Sequence, residues 1–288
     1  MTSVEPDGQA VRQAFEHASQ LAAGLVRQGA PLNGPVPGLE WTKAQLTGHL
    51  WAICEAFATT LRGEDFAERF GKEFVGSYGS GATLRDSVAA TNAKVVRLAS
   101  FPSPAAAADA LTSAAQGLLA AFGTDPDLSV RRPAPWYGPD VTLPTGNLLA
   151  LAVSEFLVHG YDLARAVGAD PRPSVATAAS ATAAAAAMMS EMLPHVLDEH
   201  AASGFAGSFE VRIRGGDRFV LQIADGKAWS ELAKGQHVGC VLSLSAYPAL
   251  LLGYNRVPLW RVIASGGAFA SGRRPWLGLR FNRLFQAV

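Results

Sequence analysis

The chain changes its hydrophobic period once. Through roughly the first 200 residues apolar side chains recur close to every 3.6 positions, the spacing of a helix with one buried face; beyond about Gly204 they alternate with polar ones, the spacing of a strand. The first run, GQAVRQAFEHASQLAAGLVRQG, sets Val11, Phe15, Leu21, Leu25 and Val26 on the helical period and ends at Gly29. After the punctuated loop APLNGPVPGLEW, Thr42 with Gln45 at the third following position forms a capping-box pattern into LTGHLWAICEAFATTLR. A glycine-rich stretch from Gly63 to Gly81 precedes a third run, TLRDSVAATNAKVVRLAS with PAAAADALTSAAQGLLAAFG, which Pro102 and Pro104 are expected to break because proline has no amide hydrogen. TDPDLSVRRPAPWYGPDVTLP reads as a long loop, of the kind that carries function. A fourth helix follows from near Thr145 to Gly168, and an alanine-rich linking helix covers 174–200.

In SFEVRIRGGDRFVLQIADG, Phe209, Val211 and Ile213 alternate with Glu210, Arg212 and Arg214, and the Gly215–Gly216 pair turns the chain into Phe219, Leu221 and Ile223. This is a β-hairpin. CVLSLS adds a third strand with Cys240, Leu242 and Leu244 on one face, while AYPALLLGYNR and PWLGLRFNRLFQAV read as helices. The fold class is α+β: a helical bundle over residues 1–200 and a small α+β domain over 205–288.

Charge narrows the partners. Lys plus Arg and Asp plus Glu number 24 each, so there is no basic excess to draw a phosphate backbone or an anionic membrane; nucleic acid is not an expected partner. The longest apolar stretch, around ATAAAAAMMS, is alanine punctuated by Ser and Thr and is too weakly hydrophobic for a membrane span. The start, MTSVEPDGQAVRQAFEH, lacks the basic-then-apolar order of an export signal. Two separated cysteines, Cys54 and Cys240, fit a reducing compartment, so the expectation is a cytoplasmic protein, monomer or homodimer, in which any metal is held by His and carboxylate.

EFLVHGYDLARAVG carries the chemistry. Glu155 and His159 are four residues apart, so on a helix their side chains lie one above the other amid Leu151, Val153, Phe156, Leu157, Val158 and Leu163. A buried carboxylate without a partner costs several kcal/mol, and a cation relieves that cost. His49, in LTGHLWAI, faces inward by the same periodicity, and the three make a two-histidine, one-carboxylate set that leaves a coordination position open. The alternative is a hydrogen-bonded pair in a core. His195 and His200 in EMLPHVLDEH are five apart, poorly placed to share an ion, and read as surface residues. Cys54 reads as a small buried hydrophobe.

LEWTKAQLTGHL and EFLVHGYDLARAVG resemble, in order, the two signatures of the mycothiol-dependent maleylpyruvate isomerase family, a branch of the DinB-like metal-binding four-helix bundles. The tail with LLLGYNRVPLWRVIASGGAFASG is similar to the sterol-carrier-like domain that many members append. The resemblance implies that His49, Glu155 and His159 bind a divalent metal, zinc foremost, with mycothiol as thiol cofactor or co-substrate. It implies roles for Asp162, orienting a ligand histidine or making a structural hydrogen bond, and for a C-terminal arginine that binds substrate, with Arg256 the candidate and Arg261 and Arg273 next. The tail departs from the family's commoner Gly-Arg pairing, reading Gly253-Tyr254-Asn255-Arg256. Trp41 matches too and reads as a packing residue.

The activity implied is attack of a thiolate on a small electrophile, ending either in cis–trans isomerisation or in S-transfer. Arg131 and Trp136 are candidate cofactor contacts, since Arg pairs with anions and Trp stacks on sugar faces; a solvated loop is the alternative. Substrate choice would sit in loops such as Gly63–Gly81 and Ser129–Pro144. Two rival classes use the same residues differently: a metal-dependent hydrolase with water in the open position, and a non-catalytic protein whose C-terminal domain holds an apolar ligand.

Overall fold

Thr42 and Gln45 cap the second helix reciprocally. The Thr42 hydroxyl accepts from the Gln45 amide at 3.3 Å, and the Gln45 side chain accepts from the Thr42 amide at 2.8 Å. The structure, a computed structural model, describes residues 3–28 and 31–286. Among them, the helical part comprises α1 (Gly8–Arg27), α2 (Lys43–Leu61), the short α3 (Phe66–Phe70), α4 (Leu84–Val95) and α5 (Pro104–Phe122). A two-stranded ribbon of β1 (Arg131–Pro133) and β2 (Thr142–Pro144) leads into α6 (Thr145–Ala166) and α7 (Val175–Met192). Helix α1 packs on α5 and α6, and α2 packs on the same two, closing a four-helix bundle; α7 lies against α1 and α6.

Packing follows the apolar stripes. Phe15 of α1 meets Phe156 of α6 edge-on at 5.1 Å, both rings fully buried, and each ring contributes on the order of 1.5–3 kcal/mol. Leu21 is a correction: it is 36% exposed, off the stripe, and Ala18 and Ala22 hold the buried positions instead. In α7 the buried Ala184 to Ala187 keep the helix surface low enough for its neighbours to approach closely.

The C-terminal sheet is β3 (Gly207–Ile213), β4 (Arg218–Ala224), β5 (Lys227–Leu232), β6 (Cys240–Leu244) and β7 (Ala268–Ser271), in the order β5-β4-β3-β6-β7. The pairing of β3 with β6 is parallel and the other three are antiparallel. The alternation read in the hairpin holds: Phe209 pairs with Leu221 and Val211 with Phe219, all buried. Helices α8 (Ala246–Gly253), α9 (Leu259–Ala264) and α10 (Gly278–Phe281) complete this part.

The structure departs from the sequence reading at several elements. The third helical run is two helices, parted at the prolines as expected. The linking helix stops at Met192, because Pro194 turns the chain into a 3-10 segment over Leu193–Val196. Gly29, read as the first helix stop, lies outside the described residues, and α1 ends at Arg27. PWLGLRFNRLFQAV is not one helix: α10 is flanked by 3-10 turns, and a Cβ on Gly278 would come within 2.6 Å of the Ala270 Cβ, so this segment hugs β7. Among the described residues no helix is long and apolar enough to cross a membrane.

Candidate metal centre

Helix α6 is enclosed on nearly every side, with 18 of its 22 residues buried, so each polar group it carries needs a partner. Glu155 and His159 find theirs in each other and in α2. The Nε2 atoms of His49 and His159 lie 3.5 and 3.4 Å from the same carboxylate oxygen, Glu155 Oε2. One potential ligand atom from each residue lies within 4.8 Å of the others. For comparison, zinc arms of 2.0–2.1 Å at tetrahedral angles set neighbouring donors about 3.3–3.4 Å apart.

The surroundings decide which atoms face inward. Asp162, one turn after His159 and 0% exposed, lies 3.0 Å from His159 Nδ1. When Nδ1–H donates to that carboxylate, Nε2 presents its lone pair to Glu155 Oε2. Two acceptors facing at 3.4 Å want a cation or a proton between them, and the donor set therefore fits a divalent metal. Arg256 from the C-terminal sheet domain donates through Nε to both Asp162 oxygens at 2.9 and 3.0 Å and through a terminal nitrogen to the Tyr254 carbonyl at 2.7 Å. Among the described residues His49 Nδ1 is buried with no hydrogen-bond partner. Trp41 packs on both rings, with centroids at 5.1 Å from His49 and 6.2 Å from His159.

The second carboxylate oxygen is held from the other domain. Tyr254 donates its hydroxyl to Glu155 Oε1 at 2.7 Å. It stands there because α8 ends in a left-handed cap: Asn255 has φ of 57°, and the amides of Asn255 and Arg256 donate to the carbonyls of Leu252 and Leu251. Asparagine tolerates that conformation where most residues do not. The Gly-Tyr-Asn-Arg departure thus builds the cap that aims Tyr254 at Glu155 and Arg256 at Asp162.

Electrostatics follow the same contacts. Burial alone would push the Glu155 carboxyl up, but with a proton rather than a metal between the groups, hydrogen bonds from the two imidazoles hold it well below the carboxylate range. Burial pulls His159 down, and Asp162 and Glu155 more than reverse it, so its pKa is raised. His49 has no such second carboxylate, and burial leaves it lowered despite Glu155. Tyr254 is raised well above its usual value by burial and by the neighbouring Glu155 charge, so it stays a hydrogen donor.

The structure brings His49, Glu155, His159, Asp162 and Arg256 together. It does not bring Arg131, whose guanidinium pairs with Glu191 at 2.8 Å and bonds the Thr142 hydroxyl and carbonyl. Trp136 lines a cavity of about 80 Å³ beside His49 and Glu155, and stacks on Phe57 at 4.5 Å. Arg261 lies over Trp260 at 5.3 Å, and neither it nor Arg273 lines either of the two cavities that reach Glu155. His195 is corrected: it is half-buried, its Nδ1 lies 3.1 Å from the Tyr78 hydroxyl, and burial lowers its pKa. His200 is exposed as expected, and Cys54 is fully buried. Tyr254 and Tyr137, which lines both cavities at Glu155, were not singled out in the sequence.

Fold and site together describe a helical bundle whose two facing helices present two histidines and a glutamate, closed by a C-terminal sheet domain. A family model for the mycothiol maleylpyruvate isomerase N-terminal domain matches residues 11–164, which include all three candidate ligands; the chain belongs to this family. Among solved structures it is similar to the crystal structure of the mycothiol-dependent maleylpyruvate isomerase, at 16% identity over 94% of this chain and 96% of that one, with a TM-score of 0.48. It is also similar to the inverting sec-alkylsulfatase Pisa1 from Pseudomonas sp., at 17% identity over 82% of this chain and 32% of that one, with a TM-score of 0.31. No curated protein sequence matches it.

Proposed function

We propose that the protein is a metal- and thiol-dependent enzyme, a mycothiol-dependent isomerase or S-transferase acting on a small electrophile, with His49, Glu155 and His159 as the metal ligands. The observation that carries this reading is the convergence of both histidine Nε2 atoms on Glu155 Oε2, within a family whose name specifies a mycothiol-using isomerase. A divalent metal bound there supplies a cation that keeps a thiol as thiolate at neutral pH, where free thiols are mostly protonated.

The chain's own residues divide the remaining work. Asp162 fixes the His159 tautomer and is itself neutralised by Arg256. Tyr254 occupies Glu155 Oε1 and so leaves Oε2 for the centre. Arg256, given to Asp162 and the Tyr254 carbonyl, is a positioning residue in this arrangement; the substrate-binding role expected of it is not where its hydrogen bonds go. Neither cysteine joins the ligand cluster, which leaves the thiol to come from outside the chain.

The test is turnover of a short and a long electrophile, maleylpyruvate and 2-decenal, with and without mycothiol, alongside elemental analysis. The reading expects near-stoichiometric metal and turnover of at least one compound only when thiol is present, both lost in His49→Ala. Metal with thiol-independent activity would move the assignment to a hydrolase. Metal-free protein with no turnover of either compound would overturn the reading.

A further inference from the structure

Behind the centre, on the side of the C-terminal sheet domain, lies a cavity of about 420 Å³ whose wall includes Glu155, Tyr137 and Tyr254. A pocket of that size encloses a drug-sized molecule, on the order of a dozen non-hydrogen atoms. Its bundle wall holds Met188, Met189 and Met192 of α7, which are the chain's methionines apart from Met1. Its sheet wall holds Leu242 and Leu244 of β6. Methionine adapts its shape to irregular apolar partners and is favoured on surfaces that accept varied ones.

Charge is as telling as shape. Among the described residues no Lys or Arg lines this cavity or the smaller one beside it, and the only formal side-chain charge on either wall is the Glu155 carboxylate. The side-chain cation at the centre, Arg256, is committed to Asp162. A divalent metal held by the Glu155 carboxylate and two neutral histidines would carry one net positive charge, which a bound thiolate takes up, so a dicarboxylate entering here would give up its water against apolar walls with no further counter-ion, which is unfavourable. The rim points the same way: Ile263, Phe269 and Leu279 line the cavity while remaining 43%, 58% and 61% exposed, more apolar surface than a chain leaves at a polar mouth without use.

We infer that the substrate of this centre is an amphiphile rather than a small dianion: an uncharged or singly charged electrophilic head at Glu155 and Tyr254, with an apolar tail of roughly eight to twelve carbons filling the cavity between α7 and β6. The inference rests on the proposed function for the reacting head; the tail site stands on the cavity alone.

Binding of unreactive 1-alkanols from butanol to decanol to the full-length protein, followed by calorimetry, tests it without calling on activity. The dissociation constant is expected to fall roughly fourfold for each added methylene until the cavity is full, and Met189→Gln, which keeps volume but sets an amide against the tail, is expected to weaken decanol binding by at least about fivefold. A flat series, or decanol affinity untouched by Met189→Gln, overturns the inference. If the series is flat while maleylpyruvate turns over with thiol, the proposed function stands and the amphiphile falls. If the series is steep while the protein is metal-free and neither electrophile turns over, the tail site stands and the proposed function falls.

Discussion

The Arg256 guanidinium, on the segment after α8, reaches across to Asp162 on α6 and donates to both of its carboxylate oxygens at 2.9 and 3.0 Å. Asp162 is fully buried, so removing the arginine leaves an uncompensated charge in the core. Arg256→Ala is expected to lower the unfolding free energy by about 3–5 kcal/mol. The double variant Asp162→Asn with Arg256→Met is expected to cost less than Arg256→Ala alone, since it removes both charges. Denaturant unfolding of the variants checks the sign of this coupling; a double variant worse than the single one would contradict it.

Asp162 also acts on the centre through His159. Asp162→Asn keeps the size of the side chain but removes the acceptor charge that sets the ring's tautomer. Metal affinity is expected to fall about 10- to 100-fold, measured by competition with a chromogenic chelator. Tyr254→Phe removes the donor to Glu155 Oε1, and a loss of roughly 12- to 150-fold in the same assay is expected, from the 1.5–3 kcal/mol typical of a hydrogen bond to a charged group.

His195 sets part of the pH dependence away from the centre. Its folded pKa lies below the ordinary 6.5 because burial disfavours the imidazolium, so the unfolded chain binds more protons than the folded one below that value. Its contribution to stability is present above pH 6.5 and is lost as pH falls through the folded pKa. Wild type is expected to lose stability on acidification below pH 6.5 more steeply than His195→Gln, read from unfolding midpoints across pH. Equal slopes would show that this histidine does not titrate differently on folding.

Two glycines hold the aromatic wall in place. A Cβ on Gly76 would sit 2.2 Å from the Tyr137 carbonyl oxygen, and one on Gly138 2.1 Å from that of Tyr78, both closer than any side chain tolerates. The two loops pair there through the Gly76 amide to Pro135 and the Tyr78 amide to Tyr137. Gly138→Ala is expected to part these loops, lowering stability by about 1–3 kcal/mol and displacing Trp136 and Tyr137 from the cavities. Tryptophan fluorescence and unfolding report the two effects; an unshifted spectrum with unchanged stability would contradict them.

What the sequence makes legible is what depends on near neighbours. The period change, the Thr42 box and the facing apolar residues of β3 and β4 are local patterns, and the i, i+4 relation of Glu155 and His159 needs only a helix. Strand β5 was not legible because it presents one buried residue, Ser230, so no alternation marks it. Tyr254 was not legible because its role depends on where α8 ends relative to α6, a relation between distant segments. The available signal was Asn255 after an apolar helix, a residue suited to the left-handed cap position. Arg256 was found by resemblance, but its partner was not, since only the packed structure places it on Asp162 rather than in a cavity.

The central claim is that His49, Glu155 and His159 hold one divalent metal between α2 and α6. The most direct measurement is a zinc titration of the chelator-stripped protein, wild type beside His49→Ala, with thermal unfolding recorded on each. Wild type is expected to show one site and a gain of about 2.7 kcal/mol in stability when free zinc reaches a hundred times the dissociation constant, and His49→Ala neither site nor gain. A wild type that binds no zinc or other divalent ion, or a His49→Ala variant that binds as tightly, would contradict the claim and leave the three residues a buried hydrogen-bonded cluster.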